Sequence, residues 1–185
     1  WSSSQVLVRL PTGTARTECK MIMRSILKFI LKILARATIG KYQPHVVGIT
    51  GSVGKTSTKE AVAAVLATKY KVGQTKKNFN NEIGYPLTIL GAPDSGYRSI
   101  VAWLVILIKA VLQLMVRQKD YPQVLVLEMG VDHVGDMDYL LSIGRPNIAV
   151  LTAVSPVHLE FFGGVDQVAQ EKSKLAKAVG KNGVV

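Results

Sequence analysis

Hydrophobic and polar positions along this 185-residue chain change period several times, and each change predicts an element. Residues 21–38 follow a helical period. Arg24, Lys28, Lys32 and Arg36 line one face, while Ile22, Ile26, Leu27, Phe29, Ile30, Leu31, Ile33 and Leu34 fill the rest. From His45 onward, short apolar runs alternate with amphipathic ones. The pattern predicts a strand at His45–Thr50, a helix over 55–68, a strand over 70–75 and a polar loop to Asn81. A strand over 123–129, a helix over 135–142, a strand over 147–153 and a helix over 166–179 follow. The runs VLVLEM and NIAVLTAV are apolar nearly throughout, as strands covered on both faces are. The expectation is an α/β fold: a mostly parallel sheet with helices on both faces, preceded by an amphipathic helix. Residues 1–20 read as an unpatterned leader that need not be native, 21–40 as the basic helix and 41–185 as one domain.

Two apolar stretches raise the question of a membrane. A basic stripe beside a wide apolar face, as in 21–38, marks a helix lying in a bilayer surface; a helix packed on the domain with a solvated basic face gives the same pattern. Residues 99–117 are apolar enough to ask about a transmembrane span. A single crossing would separate Asn80 and Asn81 from Glu128, which should share one site, and Lys109 adds a cost near its middle. The expectation is a buried helix, or one dipping into the membrane interface beside 21–38.

A hydrophobic content of 48% excludes a disordered chain. The lone Cys19 excludes a disulfide scaffold and suits a reducing cytosol, and no zinc-ligand spacing occurs. The net charge of +11 raises nucleic acid or membrane as partners. Four of the 23 basic residues stripe one amphipathic helix, and the basic residues lack the interleaved aromatics of stacking platforms, so no nucleic-acid partner is expected. The chain opens on Trp1 and stops at Gly183-Val184-Val185, which reads as the start of a strand. It therefore reads as a fragment, with Met21 or Met23 as a natural start.

The candidate chemistry centres on HVVGITGSVGKTSTKE, residues 45–60. Gly51 and Gly54, flanking Ser52 and Val53, allow a tight turn whose N–H groups meet phosphate oxygens. The helix that begins at Lys55, Thr56 and Ser57 adds the positive end of its dipole. Lys55 offers a mobile charge for the outer phosphates and Thr56 a hard oxygen for Mg2+, so a nucleoside triphosphate with Mg2+ is the expected ligand. Glu128, at the end of a predicted strand, is a candidate second Mg2+ ligand. His158, in SPVHLEFF, is either a packing residue or a metal or phosphate contact. Lys172 falls on the apolar face of its helix with Val168, Leu175 and Val179, whereas Lys174 and Lys177 point elsewhere. An inward ammonium must be paired or chemically altered, and a lysine with lowered pKa reacts with small electrophiles.

Four blocks, GITGSVGKTSTKE, NFNNEIGYPLTIL, VLVLEMGVDHVGDM and RPNIAVLTAVSPVHLEFFGGVDQVAQEKSKL, resemble in order and spacing the central ATP-binding domain of the Mur ligases. The resemblance covers residues 45–185. It is strongest to the branch that joins D-alanyl-D-alanine to a UDP-N-acetylmuramoyl tripeptide. It implies an ATP-dependent amide ligase of peptidoglycan precursor synthesis, acting through an acyl phosphate. By the family's motifs, Gly51, Ser52, Val53, Gly54, Lys55, Thr56, Ser57, Asn80 and Asn81 would bind ATP. Thr56 and Glu128 would hold one Mg2+, and His158 and Lys172 a second, with Lys172 carbamylated by CO2. Lys55, Glu128, His158 and Lys172 would be the catalytic set. The resemblance implies the cytoplasm, and the hydrophobic pattern of residues 21–38 and 99–117 adds the expectation of a peripheral place at the inner face of the cell membrane.

The chain also departs from the family. Too few residues precede His45 for a UDP-sugar-binding domain, and the 99–117 stretch is longer than the family leads one to expect. The third domain would lie beyond Val185, so this fragment alone is not expected to ligate. Another amide ligase of the superfamily, folylpolyglutamate synthase-like or cyanophycin synthetase-like, is an alternative that NNEIGYPLT and EMGVDHVGDM argue against. A non-catalytic, membrane-apposed nucleotide-binding module is the other.

Overall fold

Alternation inside the apolar runs assigns each strand two buried faces. Val47, Ile49, Val124 and Val126 point to one side and pack with Val62, Ala63 and Leu66 of α2 (Lys55–Ala67). Val46, Leu125, Leu127 and Ala149 point to the other, into a larger core shared with five helices. Each fully buried Val, Leu or Ile is worth about 1.5–3 kcal/mol relative to exposure, so strands and covering helices hold the two layers together. The computed structural model describes residues 14–76, 79–93, 99–155, 162–181 and 183–185.

The strands are β1 (His45–Thr50), β2 (Val72–Gln74), β3 (Val124–Glu128) and β4 (Ile148–Leu151), all parallel, in the order β2-β3-β1-β4. In register, Val47 lies opposite Val126 and Ile148, and Ile49 opposite Glu128 and Val150. The layer opposite α2 holds α1 (Thr14–Tyr42), α3 (Gly84–Ile89), α5 (Asp136–Ile143) and α6 (Val165–Ala178). α2, after β1, and α5, after β3, lie on opposite faces, so a crevice opens where those two central strands end. In open α/β sheets that switch point is where ligands bind.

Several elements differ from expectation in a physically readable way. α1 starts at Thr14, taking in part of the stretch read as a leader. α3 falls beyond the loop to Asn81, in a stretch to which the sequence pattern assigns no element. Its start carries Gly84 and Pro86, residues that mark a turn in sequence but are tolerated in a first helical turn. The apolar stretch becomes α4 (Ile100–Met115), capped by the Ser99 hydroxyl accepting from Ala102 N at 3.1 Å. Only one side of α4 is buried, through Ile106, Ala110 and Gln113, so it is not the fully buried helix that was one of two expectations. It packs on α1, where Lys41 donates to the Gln113 and Leu114 carbonyls at 3.1 and 2.8 Å and satisfies the end of α4.

The basic stripe of α1 is in part turned onto the domain. Lys28 and Arg24 both pair with Glu82, and the Lys32 ammonium lies 5.4 Å from the centre of the Tyr139 ring. Leu31, Ala35 and Thr38 form the buried seam, which leaves Ile22, Ile26, Phe29 and Ile33 facing outward. Among the described residues, no helix is long and apolar enough to cross a membrane.

Candidate nucleotide site

The site is built from loops that leave the sheet at its switch point. The Thr50 hydroxyl donates to the Met129 carbonyl at 2.9 Å and ties the ends of β1 and β3 together. The chain then turns through Gly51, at φ 152°, and Gly54, at φ 84°. A Cβ on Gly51 would run into the Thr152 side chain, so glycine is required there on two counts. Gly54 has no side chain to cap α2, which leaves the first N–H groups of that helix open to an anion.

The loop is pinned to the segment after β4. Ser52 N donates to Ala153 O at 2.6 Å, its hydroxyl donates to Ser155 O at 3.1 Å, and the Thr152 hydroxyl donates to Val53 O at 2.6 Å. Lys55 folds back over the turn and donates to the carbonyls of Gly51 and Ser52 at 2.8 and 3.2 Å.

Glu128 is 2% exposed and sits at the centre of a network. One carboxylate oxygen accepts from the Thr56 hydroxyl at 3.0 Å, with the Lys59 ammonium 3.9 Å away. The other accepts from the Asn80 amide at 3.0 Å, and the Glu128 N–H donates to the Thr75 hydroxyl at 2.9 Å. Asn80 reaches in because residue 130 is glycine; a Cβ there would lie 2.8 Å from the Asn80 amide carbon. Asn81 differs from its neighbour. Its side-chain oxygen accepts from Ile83 N and Gly84 N at 3.2 and 2.9 Å, which starts α3.

Lys172 is 3% exposed on α6 and lines a cavity of 200 Å³ with Gly51, Ser52, Lys55, Asn80 and Asp132. Burial, and then the charge of Lys55, push its ammonium below the ordinary lysine range, while Asp132 and Glu171 partly oppose the shift. A lysine so placed gives up its proton more readily and is the more nucleophilic for it.

The structure thus gathers Gly51, Ser52, Gly54, Lys55, Thr56, Asn80, Asn81, Glu128 and Lys172 around one crevice. Val53 is mostly exposed and bridges to Ala153, and Ser57 is exposed in the first turn of α2. His158 lies outside the described residues. Sequence reasoning missed Lys59, Thr75, Gly130, Asp132 and Glu171. Lys59 follows Thr56 by three residues and so shares its helix face. Glu171 obeys the same spacing from Val168 and Leu175 that singled out Lys172. Its carboxylate accepts from Gly135 N and Met137 N, both at 3.0 Å, at the start of α5. Among the described residues, no group of three or more His, Cys, Asp or Glu gathers. One carboxylate and one hydroxyl at the mouth of a phosphate loop suit Mg2+, which keeps its other positions for phosphate and water.

Comparison with known proteins agrees with this geometry. The family model described as the Mur ligase middle domain matches residues 49–102 and 106–185. The UDP-N-acetylmuramoyl-tripeptide–D-alanyl-D-alanine ligase of Bacillus subtilis is 32% identical over 155 residues, 84% of this chain. Its counterpart in Borreliella burgdorferi is 35% identical over 153 residues, 83% of the chain. The chain spans only 28% and 27% of those two relatives. Among solved structures, the MurF ligase from Thermotoga maritima in complex with ADP superimposes with a TM-score of 0.65 at 34% identity, over 84% of this chain and 30% of that one. With a parallel sheet, a phosphate loop at its switch point and these matches, the chain belongs to the Mur ligase family, as a middle domain.

Proposed function

We propose that this domain binds Mg2+-ATP in the crevice between β1 and β3 and serves an amide ligase of peptidoglycan precursor synthesis. The observation that carries the reading is the Thr56–Glu128–Asn80 network beside a phosphate loop, opening on the cavity that holds Lys55 and Lys172. The α2 N–H groups and Lys55 would hold the phosphates, with Lys55 exchanging the Gly51 and Ser52 carbonyls for phosphate oxygens. Thr56 and Glu128 would hold Mg2+, which when bound neutralises charge on the transferred phosphoryl group. Asn80 orients the Glu128 carboxylate, and Lys59 sets a positive charge 3.9 Å from it.

In this reading the substrate is a UDP-N-acetylmuramoyl peptide and the amine is D-alanyl-D-alanine. A carboxylate oxygen of the peptide attacks the terminal phosphorus of ATP, and the bond to the β-phosphate oxygen breaks, releasing ADP. The amine then attacks the acyl carbon, phosphate leaves with its electron pair, and the amine nitrogen loses a proton. Carbamylation, in which the neutral Lys172 amine adds to CO2 and releases a proton, would replace an inward ammonium by an anion whose oxygen would serve, with His158, as a ligand for a second Mg2+ that offsets its charge. The localisation that goes with this reading is cytoplasmic, peripheral at the inner face of the cell membrane.

Calorimetric titration with ATP tests the nucleotide site. Binding that requires Mg2+ and weakens about 10- to 100-fold in Lys55→Ala is expected, from the loss of charge-assisted hydrogen bonds. ATP binding that ignores both changes would overturn it. In the enzyme carrying this domain, ADP release that needs both the UDP-sugar tripeptide and D-alanyl-D-alanine would support the substrate assignment. Release with glutamate and a folate instead would favour the folylpolyglutamate-type alternative.

A further inference from the structure

The outward face of α1 and α4 is apolar where a water-facing helix is polar. On α1, Ile22, Ile26, Phe29 and Ile33 are between 50 and 63% exposed. On α4, Leu104, Ile108, Val111 and Met115 are between 44 and 75% exposed. The helices run side by side in the same direction. Trp103, near the start of α4, lies with Ile26, Leu27 and Ile30, near the middle of α1, around a groove of 370 Å³, and Gln113 and Leu114 meet Thr38 and Lys41 near the ends of both helices. Their exposed side chains therefore form one continuous patch, of a kind that soluble surfaces do not carry without a partner.

Charge identifies that partner. From Cys19 to Lys59 the chain has no acidic residue, and it has none from residue 95 to residue 119. Basic groups border the patch throughout. Lys32 and Arg36 lie along one flank of α1, Lys109 is exposed on α4, and Arg117 and Lys119 follow its end. Arg36 also joins Arg145 and Lys177 around a cavity of 690 Å³ beside α1; Asp138, which lines it too, pairs with Lys174, and among the described residues none of the three cations has an acidic partner. A second copy would bring the same unpaired cations against each other. An anionic bilayer instead offers hydrocarbon to the patch and phosphate to its border, and tryptophan is at home at that boundary.

We propose that the α1–α4 face docks on an anionic lipid bilayer, with Phe29, Ile33, Leu104 and Ile108 inserted below the headgroups and Lys32, Arg36 and Lys109 among them. Docking would orient the site, because Arg24 and Lys28 of the same helix pair with Glu82, next to Asn81 at the crevice. The inference rests on the peripheral localisation proposed above and is independent of the ligase chemistry.

Co-sedimentation of the full chain with vesicles of phosphatidylcholine, with and without phosphatidylglycerol, tests it. Binding should be about tenfold tighter to the anionic vesicles and should weaken with salt. The double variant Phe29→Glu/Ile108→Glu, at exposed positions that leave the core untouched, should lose about tenfold in vesicle binding while its Mg2+-ATP titration is unchanged. Lys32→Gln/Arg36→Gln should lose the preference for anionic lipid. No vesicle binding by the native chain, or equal binding by the glutamate variant, overturns the proposal. So does a dimer, seen by light scattering, that the glutamate variant abolishes. Vesicle binding without ATP binding would support docking and count against the nucleotide reading.

Discussion

At the ends of β1 and β3, buried polar groups crowd together and partner one another, whereas on the outer face of α1 and α4 apolar groups stand in solvent without one. Glu128 takes bonds from Thr56 and Asn80, with Lys59 beside it and its own N–H on Thr75. A buried carboxylate costs several kcal/mol unless so surrounded, and here the domain supplies the surroundings itself. The α1–α4 patch is different: nothing among the described residues covers Phe29, Leu104 or Ile108. In the readings proposed above, the crevice serves a small anionic ligand whose surroundings it already holds, while the patch awaits something large and apolar. The two regions meet at Glu82, which binds α1 through Arg24 and Lys28 and follows Asn81 in the chain.

Removing the centre of the crevice network should have the largest effect. Glu128→Ala leaves the Lys59 ammonium, 3% exposed, without its carboxylate. Breaking a buried pair from one side costs about 3–5 kcal/mol. Urea unfolding should show that loss, and ATP titration should lose its dependence on Mg2+. Retained stability would mean that Lys59 finds its compensation elsewhere, and the crevice would no longer contrast with the patch as self-contained.

Two substitutions in α1 separate its faces. Leu31 is fully buried, so Leu31→Ala should destabilise by about 2–5 kcal/mol. Ile33, 50% exposed, should change stability by only about 0.5 kcal/mol or less as Ile33→Ala. Comparable losses at both positions in urea melts would mean that the outer face is already packed in solution, and the patch would not be an open surface.

How much of this was legible in the sequence follows from the range of the forces involved. The phosphate loop was readable because its constraints are local: glycines where φ is positive, then lysine and threonine at a helix start. The inward position of Lys172 was readable from helical spacing to Val168 and Leu175. Glu171 satisfies the same spacing, but its role depends on the start of α5, 34 residues away for Met137, which no periodicity reports. The orientation of α1 was hidden for the same reason. A helical pattern separates basic from apolar positions without saying which side turns inward. Glu82, 54 residues beyond Lys28, bears on that by drawing Lys28 and Arg24 onto the domain. α3 was hidden by Gly84 and Pro86, and the start of α1 by a polar segment with no apolar face to reveal a period.

Lys172 gives the crevice a pH signature that the patch lacks. Its pKa is lowered in the folded chain, first by burial and then by Lys55. Between that lowered value and the ordinary lysine pKa of about 10.4, the unfolded chain binds more protons than the folded one. Stability should therefore rise with pH across that window and level off above it. Urea midpoints measured against pH should show a rise that Lys172→Met flattens. Bicarbonate should steepen the contrast at neutral pH if the amine captures CO2, and carbon-13-labelled bicarbonate would report the carbamate directly by NMR. A Lys172→Met profile parallel to the native one would mean that the ammonium is fully compensated where it sits.

The smallest effect expected belongs to a pair of tyrosines that test whether the core beneath the patch is as well satisfied as the crevice. Tyr85, in α3, is fully buried, and its hydroxyl has no hydrogen-bond partner among the described residues. Burial accordingly pushes its phenol well above the ordinary tyrosine range. Tyr121 stacks on Tyr42 with ring centres 4.1 Å apart and donates its hydroxyl to the Ile89 carbonyl at 2.8 Å. A satisfied hydroxyl contributes about 1 kcal/mol, whereas an unsatisfied one carries only its desolvation cost. Tyr121→Phe should therefore destabilise by about 1 kcal/mol, and Tyr85→Phe should be neutral or stabilising by less than about 1 kcal/mol. Opposite signs in the two melts would locate the core's unsatisfied polar atom on α3, the helix that packs against the inner side of α1. A loss at Tyr85 as large as at Tyr121 would instead mean that its hydroxyl is hydrogen-bonded in solution, and the polar chemistry of the crevice would extend under the patch.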